Sequence, residues 1–145
     1  MADLTQTPAN VGIQEEGAKG RPITVGEAVT QGMTLSKRAD GKWYKAQADD
    51  ATDTAIRAGQ NGVMVAMTAA GADGDFVYAI GSGKIDLGAT LTVGVPYVVS
   101  DTAGAIAPAS DFSGFTDAYV THLGYATATD TLDLQPLFTG ANNVS

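Results

Sequence analysis

Met33-Thr-Leu-Ser-Lys-Arg-Ala-Asp-Gly-Lys-Trp-Tyr-Lys-Ala46 is the stretch on which the fold class turns. Two short runs, Met33-Thr-Leu35 and Lys42-Trp-Tyr-Lys-Ala46, flank Asp40-Gly41, and an Asp-Gly pair supplies the positive φ that a tight hairpin demands. Two antiparallel strands joined at that turn are therefore expected. Towards the N-terminus, Ile23-Thr-Val25 and Ala28-Val-Thr30 read as further strands. Residues 1 to 21 show no helical or strand periodicity, and Gly12, Gly17 and Gly20 would interrupt any regular element. This gives a flexible N-terminal arm over 1–21 and a single β domain over 22–145. The arm reads either as a frayed terminus or as an extended strap whose Leu4, Val11 and Ile13 dock onto a neighbouring subunit.

Towards the C-terminus, Asp50 can cap one or two helical turns that Gly59 would end. Gly62-Val-Met-Val-Ala-Met67 is a continuous apolar run, which suits a strand covered on both faces, and Phe76, Tyr78 and Ile80 recur at period two. Together these are expected to form the centre of the core. Lys84-Ile-Asp-Leu87, Val95-Pro-Tyr-Val-Val-Ser100 and Ala105-Ile106 continue the series, with Pro96 placing its strand near an edge. Ala118 to Ala126 and Thr131 to Phe138 make a final pair, Leu132 and Leu134 facing inward, Asp133 and Gln135 facing water. Short strands at roughly ten-residue spacing define an all-β class: a compact barrel or sandwich of antiparallel strands with at most one short helix.

Composition agrees with one globular domain. The 145 residues are 44% hydrophobic and 17% charged, with 18 glycines for turns, and a chain of that length buries roughly two thirds of its unfolded surface. There is no Cys, so neither disulfides nor thiolate ligands are available. The N-terminus lacks the basic start and apolar run of a signal peptide, and no stretch approaches the ~20 apolar residues that span a bilayer. Synthesis in a cytoplasm, without membrane insertion, is expected. The net charge is −8 and the last basic residue is Lys84. Such a chain repels phosphate, so nucleic acid is not an expected partner. The basic cluster Lys37, Arg38, Lys42 and Lys45 surrounds Asp40-Gly41 and reads as a solvated hairpin.

Catalytic chemistry finds little to build on. No Ser stands in a G-x-S-x-G elbow, and the one histidine, His122, lies in a strand beside Leu123 and reads as a hydrogen-bonded structural residue. Gly81-Ser-Gly-Lys84 lacks the spacing, the hydroxyl residue and the following helix of a phosphate loop. Asp73-Gly74-Asp75 reads as turn chemistry and Asp49, Asp50 and Asp53 as helix capping, without the spacing of a calcium loop. Trp43 with Tyr44 offers a partner-binding or sugar-stacking surface, or else strand alternation turns one towards the core and its neighbour towards water.

The succession Gly26-Glu-Ala-Val29, Gly32-Met-Thr-Leu35, Asp40-Gly-Lys-Trp-Tyr-Lys-Ala46, Gly62-Val-Met-Val-Ala66, Leu91 to Ser100, Gly104-Ala-Ile106 and Leu123-Gly-Tyr-Ala126 resembles the small β-barrel proteins of tailed-phage virions. The resemblance covers roughly Pro22 to Phe138. It is nearest to capsid decoration, or cement, proteins, with head-fibre or tail-fibre components and carbohydrate-binding modules as the alternative. It implies a non-enzymatic subunit on the outer surface of a capsid, trimeric or otherwise multimeric, with the major capsid protein as partner and no cofactor. Leu4, Val11, Ile13, Trp43 and Tyr44 are the partner-binding candidates.

Overall fold

The computed structural model describes residues 3, 4, 6, 11–13, 19–48, 59–114 and 118–143. It is an all-β protein built as a curled antiparallel half-barrel. Among the described residues ten strands follow one another: β1 (Val11–Ile13), β2 (Lys19–Thr24), β3 (Thr34–Lys37), β4 (Trp43–Lys45), β5 (Val63–Ala66), β6 (Phe76–Leu87), β7 (Pro96–Val99), β8 (Ile106–Pro108), β9 (Ala118–Ala128) and β10 (Thr131–Asn143). A 3-10 helix at Ala109–Gly114 links β8 towards β9. The sheet order is β4-β3-β5-β6-β10-β9-β7-β8, with β1 and β2 also pairing β6.

β6 holds the two halves together. Its first half pairs with β2 and β5, its second with β1 and β10. Val77 and Ala79 contribute to a smaller core with Ile23, Val25, Leu35 and Trp43, whereas Ile80, Ile85 and Leu87 belong to a larger core with Val98, Ile106, Leu123, Leu132 and Leu134. β5 is shared in the same way, with Met64 and Ala66 in the smaller core and Val63 and Val65 in the larger. This is why its sequence is apolar at every position: both faces are covered.

The open side of the half-barrel is closed by a backbone seam. The Thr34 N–H donates to the Gly104 carbonyl (3.0 Å), the Gly104 N–H to the Ala46 carbonyl (2.8 Å), and the Ala46 N–H to the Thr34 carbonyl (2.9 Å). Ala48 extends the seam, donating to Ser100 O and accepting from the Tyr119 N–H. The β3–β4 end is thus tied to the β7–β8 end without a ladder between them.

Several expectations hold. β3 and β4 pair with Lys37 opposite Trp43, and Gly41 takes a φ of 83° at the turn. Leu132 and Leu134 are buried while Gln135 is exposed. Pro96 opens β7, the penultimate strand, where a missing N–H is tolerated. Others are corrected. Residues 11–13 and 19–21, expected within an arm lacking regular elements, lie in β1 and β2. Gly20 was expected to interrupt such an element; instead it permits close approach, because a Cβ there would sit 2.4 Å from the Ala79 carbonyl oxygen. Ala28-Val-Thr30 forms no strand, only an isolated bridge between Val29 and Ala70. Phe76 and Tyr78 point outward, at 71% and 40% exposure, and Val77 and Ala79 supply the core. The helix expected after Asp50 lies outside the described residues. Among those described, no helix is long and apolar enough to cross a membrane.

Candidate functional site

Two surface regions gather side chains capable of recognition. The first is the tip of the β3–β4 hairpin. Both oxygens of Asp40 are engaged there: Oδ1 accepts from the Lys42 backbone N–H at 2.9 Å, and Oδ2 from the Tyr44 hydroxyl at 2.6 Å. The Tyr44 hydrogen bond, followed by the Lys42 N–H, holds the Asp40 carboxyl below its usual range, and the same bond raises the Tyr44 phenol. Lys42 Nζ meets Asp73 Oδ1 at 2.8 Å, which raises the ammonium pKa. The Arg38 guanidinium lies 4.1 Å from the centroid of the Tyr44 ring. The ring also covers Gly26, where a Cβ would fall 2.2 Å from Tyr44 Cζ. The basic hairpin is solvated, as expected, with Lys37, Asp40 and Gly41 exposed, and Lys42 and Tyr44 make their contacts with Asp73 and Asp40 at its surface.

The second region is the outer face of β7, β9 and β10, shaped by two bulges. Tyr97 is in register with Gly124 and Val98 with His122, which leaves Leu123 as an extra residue of β9 opposite β7. On the other side, Gln135 and Pro136 of β10 together face that one residue, between the pairs Leu134–Gly124 and Leu137–His122. Gly124 takes a φ of 142°, and a Cβ there would come within 2.0 Å of the Asp133 carbonyl oxygen, so only glycine fits. The irregularity changes the alternation: Leu123 and Ala126 are both buried, and Tyr125 is turned outward.

Two cross-strand rows result, Pro96–Tyr125–Asp133 and His122–Leu137. Between them lies a shallow groove of about 400 Å³, lined by these residues with Gly124 and Gln135. Tyr125 is 49% and Leu137 61% exposed. The Gln135 side-chain amide donates to Asp133 Oδ2 at 3.2 Å. Among the described residues no hydrogen bond reaches the His122 ring, so the expected structural histidine is instead a wall of this groove.

The sequence-based candidates do not converge on either region. Val11 is buried in the larger core and Leu4 packs against it, its N–H donating to Ile106 O at 2.8 Å. Both side chains are thus used inside this fold and not presented as outward anchors. Ile13 pairs through its backbone with Ile85. Trp43 is buried in the smaller core, with the Arg21 guanidinium 5.9 Å from its ring centroid, and Tyr44 faces outward, as strand alternation requires. Of Leu4, Val11, Trp43 and Tyr44, Tyr44 is the one that belongs to a surface cluster. Gly81-Ser-Gly-Lys84 runs inside β6, and Asp73-Gly-Asp75 is a turn in which Asp75 Oδ2 accepts from the Ala72 N–H. Among the described residues no group of three His, Cys, Asp or Glu is placed to hold a metal ion. Asp49, Asp50 and Asp53 lie outside them.

Tyr125, Leu137 and His122 had no role in the sequence-based candidates. The available signal was Gly124, a lone glycine inside an apolar strand run, which marks a bulge. No known family model matches this chain, and no curated protein matches it.

Proposed function

We propose that this chain is a non-catalytic structural subunit of a tailed-phage particle, a decoration protein that binds the outer surface of the capsid as a multimer, with a trimer favoured. The observation that carries the reading is the distribution of exposed apolar side chains. Phe76, Val93, Tyr125 and Leu137 are large apolar side chains left exposed on a chain of net charge −8, where a partner subunit could cover them. The β-barrel style of the sequence between Pro22 and Phe138 supports the same reading.

With Leu4 and Val11 packed inside the fold, the contact with the major capsid protein is assigned to Phe76 and Val93, which lie outside the β7–β9–β10 groove. Binding to the closed shell adds free energy that must be lost before capsomers separate. A multimer engaging several sites at once multiplies that effect through effective concentration.

The test mixes purified protein with undecorated phage heads, then measures co-sedimentation and the temperature at which the heads release DNA. Saturable binding with a higher release temperature is expected. Absence of binding to intact heads overturns the proposal.

A further inference from the structure

We infer that the groove between the Pro96–Tyr125–Asp133 and His122–Leu137 rows is a binding site for a neutral saccharide. The groove is a product of irregularity. Bulges in both β9 and β10 meet at Leu123, and Gly124 is held in a conformation that no other residue adopts without displacing the Asp133 backbone. Bulges of this kind re-aim side chains, and here they bring Tyr125 to the surface beside a carboxylate and an amide.

The ligand class follows from the chemistry of the walls. A pyranose presents one face of C–H groups and a rim of hydroxyls. The half-exposed Tyr125 ring, with Pro96 and Leu137, offers apolar surface to the first. Asp133 and Gln135, two residues apart on β10 and already joined at 3.2 Å, place acceptors and a donor side by side for the second. His122 adds a ring nitrogen on the opposite wall.

Competing ligands fit less well. A wholly apolar ligand would desolvate the Asp133 carboxylate without replacing its hydrogen bonds. An anionic ligand meets that carboxylate and a chain of net charge −8. A hydrated cation finds one carboxylate, already bonded to Gln135, and no second in the groove. The volume of about 400 Å³ lies within the range of small-ligand sites.

The experiment uses the full chain, free of any capsid, so its outcome is independent of the docking proposal. A glycan array carrying neutral and sialylated oligosaccharides is followed by amide-shift NMR titration with methyl α-D-glucopyranoside, methyl β-D-galactopyranoside and N,N′-diacetylchitobiose. At least one neutral glycan is expected to bind saturably, with shifts centred on Gly124, Tyr125, Asp133 and Gln135. Tyr125→Ala should weaken binding about tenfold or more at unchanged Tm. Phe76→Ala, which removes a still more exposed aromatic outside the groove, should leave it within about twofold. The inference is overturned if no neutral glycan binds, if only sialylated glycans bind, or if Phe76→Ala abolishes binding as fully as Tyr125→Ala.

Discussion

Replacing Thr34 with valine exchanges a buried hydroxyl for a methyl group on a side chain of nearly the same shape, and the direction of the stability change follows from the seam. Thr34 is fully buried, its backbone N–H and carbonyl are committed to Gly104 and Ala46, and its Oγ1 has no hydrogen-bond partner. It stands opposite Val65 in register with β5. A buried hydroxyl without a partner costs about 1–3 kcal/mol, and both residues are β-branched, so the strand conformation is undisturbed. Thr34→Val should therefore stabilise the protein by about 1–2 kcal/mol, which raises the Tm by about 3–8 °C in a chain of this size. Urea unfolding followed by Trp43 fluorescence should show a higher midpoint at constant slope. A loss of about 1 kcal/mol or more would mean that the hydroxyl is bonded in solution, and the reasoning from the seam would be wrong. Ser36→Ala, two residues along the same strand and also buried without a partner, provides an independent check with the same sign.

The outward placement of Phe76 predicts that Phe76→Ser changes stability by no more than about 0.5 kcal/mol, while Val77→Ala costs about 2 kcal/mol; thermal unfolding of the pair distinguishes the two registers. Asp40 has a folded pKa below the 3.8 of a free carboxyl, so the turn's contribution is present above the unfolded value and fades as pH falls through the folded one. Carboxyl NMR should place its midpoint below 3.8, and Tyr44→Phe should move it upward; an unmoved midpoint would remove Tyr44 as the cause. Gly20→Ala drives a Cβ towards Ala79 O and Ile80 Cδ1, so β2 should loosen from β6, measured as faster amide exchange at Ile23 and Val77 than in the parent protein.

What was legible in the sequence is what local chemistry decides. Asp40-Gly41 dictates its hairpin, the run Val63 to Ala66 announces a strand with two covered faces, and Leu132 and Leu134 alternate with polar neighbours. The phase of β6 was not legible, because Phe76-Val-Tyr-Ala-Ile80 is apolar in both phases, and the choice falls to what packs on each side. Nor was the groove. It depends on two bulges in different strands meeting across a ladder, and neither strand encodes the other's irregularity. Gly20 shows the same limit: a glycine that serves a tight contact looks, in one dimension, like one that breaks a strand.

The sharing of β6 between both halves has a consequence for synthesis. Lys19 pairs with Ser82 and Thr24 with Phe76, so β2 leaves the ribosome before its template exists. At translation rates of roughly 5–20 residues per second, it waits on the order of three to ten seconds as an unpaired strand. β2 begins Lys19-Gly-Arg-Pro22, two cations and a proline that resist pairing with other nascent chains. The residues that make this strand read poorly as a strand are those that keep it soluble until β6 arrives.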